Sequence, residues 1–132
     1  MEENIKNIIL LGENVNTELK EATNGLPKSI FETVCSFLNT TGGYIILGAN
    51  DNKEIIGIKE ELIEKIKKDY TTQCNNKEVI NPTILSELHE IKIDGKHFYI
   101  RILKNQQKFI NAKEKYLFEI MREILIYQII FH

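Results

Sequence analysis

The sequence predicts an α/β (α+β) fold: a single layered domain with a mixed β-sheet and two main helices. Three observations carry this. Residues 30–38 set Ile30, Phe31, Val34, Cys35 and Leu38 at the spacing of one buried helical stripe. Tyr44 to Ala49 is an apolar burst too short for a helix, which suits a central strand covered on both faces. Leu88–Ile93 and His97–Leu103 alternate about Asp94-Gly95, a strong hairpin signal.

The elements follow in order. Residues 5–11 (IKNIILL) suit a short helix or a strand, and the periodicity is too brief to choose. Residues 16–22 (NTELKEA) predict a short strand, with Thr17 and Leu19 on one face, Glu18 and Lys20 on the other, and a turn at Asn24-Gly25. The helix from Pro27 to Leu38 has two candidate starts, Pro27 itself or a capping box of Ser29 with Glu32. It ends in Asn39-Thr40-Thr41-Gly42-Gly43, where glycine can take the left-handed conformation that closes a helix. Beyond the strand, which only Gly48 interrupts, Asn50–Lys53 predicts a tight turn and Glu54–Ile58 a returning strand. Residues 59–74 predict a second helix on Leu62, Ile63, Ile66 and Tyr70, with Glu60, Glu61 and Glu64 early and Lys65, Lys67 and Lys68 later, as the helix dipole favours. Pro82 breaks the chain before the hairpin, and the order β–α–β–β–α–β–β describes one layered domain without internal repeats.

At 132 residues the chain holds one domain with its own core, and 42% hydrophobic with 27% charged residues marks a soluble globular protein. No apolar run approaches the roughly 18 residues that span a bilayer. Ile8–Leu11 is too short an apolar core, and Glu2 and Glu3 too acidic a start, for a secretory signal. Cys35 and Cys74 lack metal-like spacing, so the expectation is a reduced, cytoplasmic protein with no membrane partner. Charge is uneven: residues 1–91 hold 9 basic and 15 acidic side chains, residues 92–132 hold 8 and 4. A basic C-terminal third can meet phosphates or be a solvated lysine-rich face.

The stretch NTTGGYIILGANDN (residues 39–52) is not a phosphate-binding P-loop, because no Gly-Lys-Ser/Thr follows its glycines. Nor is it a dinucleotide fingerprint, which needs its glycines after the strand. Its glycines, Gly42, Gly43 and Gly48, are structural, and with Asn39 they mark a helix end and a close backbone approach.

Glu13-x4-Glu18-Leu19-Lys20-Glu21, a helix, then Asn39-Thr40-Thr41-Gly42-Gly43-Tyr44-Ile45-Ile46-Leu47-Gly48, Asp51 and Ile56-Gly57-Ile58 occur in an order and spacing that resemble the Schlafen-type AlbA domain. That family is described as a DNA-binding domain of bacterial transcriptional regulators and as the core of the Schlafen proteins. The resemblance covers about residues 8–110. It implies an AlbA-like domain over residues 1–110 and a C-terminal extension over 111–132, with the Asn-Thr-x-Gly-Gly corner as the family hallmark. Leu19 departs from the phenylalanine usual there, and Asn50 from a frequent acid. The ending ILIYQIIFH is also unlike the polar close of relatives. For some codon choices residues 123–130, back-translated and shifted by one base, give Asp-Phe-Asp-Ile-Pro-Asn-Asn, closer to that polar string, so a truncating frameshift is one expectation, to be checked by sequencing past the stop codon.

Two functions of different class compete. The first is a nucleic-acid-binding module, DNA before RNA, acting as a homodimer without a cofactor. Its candidate contacts are Lys92, Lys96, Arg101, Lys104 and Lys108, followed by Lys113, Lys115 and Arg122, with Tyr99, Phe109 and Tyr116 interleaved. The plain alternative makes those aromatics core residues. The second is a metal-dependent endoribonuclease. Schlafen proteins similar to this one cleave RNA with three carboxylates, and the matching catalytic and metal-ligating positions are Glu13, Glu18 and Asp51, which would hold Mg²⁺ or Mn²⁺. A straight strand would send Glu13 and Glu18 to opposite faces, so they converge only if Asn14–Thr17 turns. Without that turn, Glu18 with Lys20 is an ordinary strand-surface pair and Asp51 a turn aspartate. An assembly domain without activity is a third reading: His89, His97 and His132 are scattered, and no serine or cysteine has an evident base. The weight falls on the non-enzymatic DNA-binding module.

Overall fold

A computed structural model of the chain describes residues 2–14, 16–104, 110 and 111. The elements run α1 (Glu2–Leu11), β1 (Thr17–Lys20), α2 (Ile30–Asn39), β2 (Gly43–Leu47), α3 (Glu60–Cys74), β3 (Ile80–Asn81), β4 (His89–Ile93), β5 (Lys96–Leu103) and β6 (Ile110–Asn111). The main sheet has the order β1-β2-β5-β4, with β1 parallel to β2 and the other pairs antiparallel, and β3 pairs with β6 apart from it. The α/β fold with a mixed sheet is therefore as the sequence predicts.

Side-chain alternation divides the core between the sheet's two faces. Ile45, Leu47, Tyr99 and Leu103 pack with Ile30, Val34 and Phe37 of α2 and Ile66 and Tyr70 of α3. Ile46, Leu19, Phe98 and Ile100 pack on the opposite face with Ile5 and Ile9 of α1. Both faces of β2 are thus covered, which explains its unbroken apolar run. Two buried tyrosines find partners for their hydroxyls: Tyr99 donates to the Ile63 carbonyl at 2.7 Å, and Tyr70 shares a 2.9 Å hydrogen bond with Ser86. Phe31 stacks on Tyr70 with ring centroids 5.9 Å apart. Cys35 is a buried core residue.

Several local expectations change. Residues 5–11 lie in a helix, giving three helices among the described residues where two main ones are expected. The α2 helix starts at Ile30, and Ser29 makes no capping bond; its hydroxyl accepts from Lys20 Nζ at 2.9 Å instead. Glu54–Ile58 is not a strand. Only Ile55 bridges back, to Ala49. The amides of Ile56 and Gly57 both donate to the Gly48 carbonyl, at 2.8 and 2.9 Å, so the chain curls around one acceptor instead of extending a ladder. Left-handed φ angles of 110° at Gly48 and 84° at Gly57 permit the curl. The Asp94-Gly95 hairpin forms as expected, with φ of 52° and 81°, the double positive pair of a type I′ turn. Among the described residues, no helix is long and apolar enough to cross a membrane.

Candidate functional site

The glycine corner and the acids belong to one construction. The α2 helix closes as its motif suggests: the Thr40 and Gly42 amides donate to the Phe37 carbonyl at 3.3 and 3.0 Å, with Gly42 left-handed at φ 82°. Asn39 secures the last turn, its amide nitrogen donating to the Cys35 carbonyl at 2.9 Å. The chain then presses against Asn16. The Tyr44 amide donates to the Asn16 carbonyl at 2.8 Å, and Thr41 Oγ1 donates to Asn16 Oδ1 at 2.9 Å. A Cβ on Gly43 would fall 2.7 Å from that carbonyl oxygen and 2.8 Å from the Phe37 ring. Gly43 is therefore glycine for room, and Gly42 for conformation as well.

So held, Asn16 anchors the turn that the acids require. Asn14 and Thr17 exchange backbone hydrogen bonds of 3.2 Å each way, and the Asn16 amide donates to Asn14 Oδ1 at 2.8 Å. The chain before β1 folds back along that strand's outer edge. Glu13 Oε1 there accepts from the Leu19 amide at 3.4 Å. The odd spacing of Glu13 and Glu18 is thereby overcome.

Electrostatics report the proximity. The Glu13 carboxyl is raised above its ordinary value of 4.5, by desolvation first, then by the negative charges of Glu18 and Asp51, and by a hydrogen bond with Asp51; the Leu19 amide opposes this. Glu13 thus lies within electrostatic reach of both Glu18 and Asp51, and the three make an acid corner. Glu18 also pairs with Lys20 at 3.4 Å, the ordinary strand-surface pair. Carboxylate oxygens suit Mg²⁺ or Mn²⁺. Among the described residues, however, no three His, Cys, Asp or Glu side chains are gathered tightly enough to hold a metal ion.

One consequence is measurable. The folded state holds the Glu13 proton more tightly than the unfolded state does, so stability falls as pH rises from 4.5 through the raised value. Glu13→Gln is neutral throughout. Its Tm should exceed that of the parent at pH 7 and converge with it near pH 4, as calorimetry across pH would show. Parallel Tm profiles would exclude the raised carboxyl.

The basic residues do not form one stripe. Lys96 pairs with Ile93 and shares the α1 face with Phe98, whereas Lys92 opposite His97, and Arg101 opposite Ile45, take the other parity. Arg101 Nη1 donates to the Glu87 carbonyl at 3.0 Å, and its buried Nε has no partner among the described residues. Lys104 is exposed beside Gly42, at the far end of β5 from Lys96, roughly 25 Å away for a strand of that length. Tyr99 is fully buried. Lys108, Phe109, Lys113, Lys115, Tyr116, Arg122 and the ILIYQIIFH tail lie outside the described residues. The sequence reading missed Asn16 and Thr41 as the pair that seats the turn, and it did not single out Lys6 or Lys53. The asparagines of Asn14–Thr17 were the only available signal.

Comparison with known proteins agrees with this architecture. The fold matches the N-terminal domain of a Nitrosomonas europaea protein named for its relation to the ATP-dependent DNA helicase RecG, with TM-score 0.62 and 21% identity over 82% of this chain and 78% of that one. It also matches a Corynebacterium diphtheriae protein, with TM-score 0.57 and 16% identity over 84% of this chain and 23% of that one. An uncharacterized ATP-binding protein of Ureaplasma parvum is 37% identical over 79 residues, which span 58% of this chain and only 22% of that relative. The family profile described as Schlafen, AlbA_2 matches residues 13–124, the span that holds the turn, the acid corner and the glycine corner, and the chain belongs to that family.

Proposed function

We propose that this is a nucleic-acid-binding domain, with DNA as its first ligand, serving a bacterial transcriptional regulator in the cytoplasm. The observation that carries the reading is membership of the Schlafen AlbA_2 family over most of the chain. The likeness to a RecG-related N-terminal domain is in keeping with it. Lysine contacts neutralise phosphate without reading base edges, so binding is weak, indifferent to sequence and salt-sensitive. A homodimer pools two sets of cations, and β4, which ends the main sheet and pairs on one side only among the described residues, offers an edge for such pairing. No cofactor enters this binding.

Fluorescence anisotropy on labelled duplex DNA, with light scattering of the same complexes, tests the reading. The expected Kd is about 10⁻⁴ to 10⁻⁶ M at physiological salt and weakens steeply as salt rises. Lys104→Glu with Lys108→Glu should weaken it further. An affinity indifferent to salt would sink the proposal, and a complex containing a 15.4 kDa monomer would remove the dimer.

The second reading, a metal-dependent endoribonuclease, is favoured by the Asn14–Thr17 turn, which brings Glu13 to Glu18 and Asp51. The donors have the chemistry for Mg²⁺ or Mn²⁺, but among the described residues they are not grouped tightly enough to hold the ion.

A further inference from the structure

The cations that do converge come from three separate elements. A cleft of about 490 Å³ is lined by Lys6 of α1, Lys53 of the 50–58 loop and Lys96 at the start of β5. Its floor is apolar and partly open, with Leu10 62% and Ile56 40% exposed. Two acids share the rim: Asp94, which pairs with Lys6 at 3.4 Å, and Glu54. Lys96 Nζ is fixed by donating to the Ile55 carbonyl at 3.0 Å.

Lys53 is the unusual member. It takes a left-handed φ of 67°, a conformation that favours glycine. The loop enforces it: the Asn52 and Glu54 amides donate to Asn50 Oδ1 at 2.9 and 3.0 Å, and the Lys53 amide donates to the Asn50 carbonyl at 3.0 Å. This is the left-handed position that follows a type I turn in a three-residue hairpin loop, and it sets the direction in which the Lys53 side chain leaves the loop. The Lys53 stem lies along Gly12, where an added Cβ would fall 2.9 Å from its Cε. Two residues earlier the same loop supplies Asp51 to the acid corner, and Gly12 is followed by Glu13. The cleft and the corner therefore adjoin.

We propose that this cleft binds the backbone of single-stranded nucleic acid, its phosphates on Lys6, Lys53 and Lys96 and its bases over the aliphatic floor, along a path that passes Gly12 toward the acid corner. The inference rests on the nucleic-acid reading and deepens it. A single strand fits better than a duplex because its unstacked bases can use the open apolar floor, while a duplex presents only phosphates there. An anionic membrane would press its plane on Glu54, Asp94 and Asp51 as well, whereas a strand can pass between them.

Anisotropy with a short fluorescein-labelled oligothymidylate at about 0.1 M salt tests this, since each phosphate contact contributes a salt exponent of about 0.7 on single strands. One lysine is then worth about fivefold and all three about a hundredfold. Lys6→Gln, Lys53→Gln and Lys96→Gln together should cost that factor and flatten the salt slope. Lys67→Gln, Lys68→Gln and Lys77→Gln, an equal charge loss away from the cleft, should cost little. Lys53→Gly keeps the result readable if the triple variant fails to fold: glycine relieves the left-handed strain, so Tm should hold or rise while affinity drops about fivefold. Parent and triple variant binding equally well would overturn the cleft and leave the nucleic-acid reading standing. A parent that binds no oligonucleotide would overturn both. Binding to phosphatidylserine vesicles in place of the oligonucleotide, lost in the triple variant, would make the cleft a membrane surface and overturn the proposal.

Discussion

Gly42→Ala should destabilise the domain by about 3 kcal/mol, lowering Tm by about 10 °C. Two penalties combine. The residue sits at φ 82°, where an L side chain is strained, and its new Cβ would strike the Leu103 carbonyl oxygen, with Lys104 Cα 3.1 Å away. Both are backbone atoms at the end of β5, which cannot rotate aside as a side chain could. Gly95→Ala provides the comparison, because Gly95 has φ 81° but nothing within 4 Å of a built Cβ. It should lose only the conformational part, about 1 kcal/mol. Equal losses at the two positions in thermal or urea unfolding would mean that the contact with β5 costs nothing. A damaged corner should also loosen Asn16, which Thr41 and Tyr44 hold, and with it the turn that carries Glu13.

What the chain revealed before folding depended on whether the cause was local. The Asp94-Gly95 hairpin, the α3 stripe and the doubly covered β2 rest on periodicity and turn chemistry within one segment, and all three were legible. The parallel pairing of β1 with β2, Thr17 beside Tyr44, depends on partners far apart in sequence, and no local pattern encodes it. The Glu54–Ile58 segment misled because its isoleucines suit a strand, while the Gly48 carbonyl captured two of its amides. Parity was informative at both candidate sites in opposite ways. Lys96 and Arg101 are five apart on a straight strand, so the basic stripe divides between faces, as alternation requires. Glu13 and Glu18 are also five apart, yet a turn intervenes and alternation fails. The asparagines at 14 and 16 allowed the turn, but only Asn16's contacts with Thr41 and Tyr44 decide that it forms.

Neutralising the acid corner separates the two functional readings by the largest effect on activity. For a binding module, Glu13→Ala, Glu18→Ala and Asp51→Ala together remove negative charge beside the path of a polyanion, so affinity should hold or rise. For a nuclease, each change alone should abolish Mg²⁺- or Mn²⁺-dependent cleavage of structured RNA while largely sparing binding, because metal-held carboxylates act mainly in the transition state. The expected result is the first. Glu18 is already engaged by Lys20 at 3.4 Å, and no three acidic, histidine or cysteine side chains among the described residues are grouped to hold a metal. Burial first, and then the negative charges of Glu18 and Asp51, hold the Glu13 carboxyl above its ordinary value. Cleavage assays on purified protein, with and without added Mn²⁺, decide the matter directly. Metal-dependent cleavage that disappears with Glu18→Ala would reverse the order of the two readings and make the glycine corner the support of a catalytic turn.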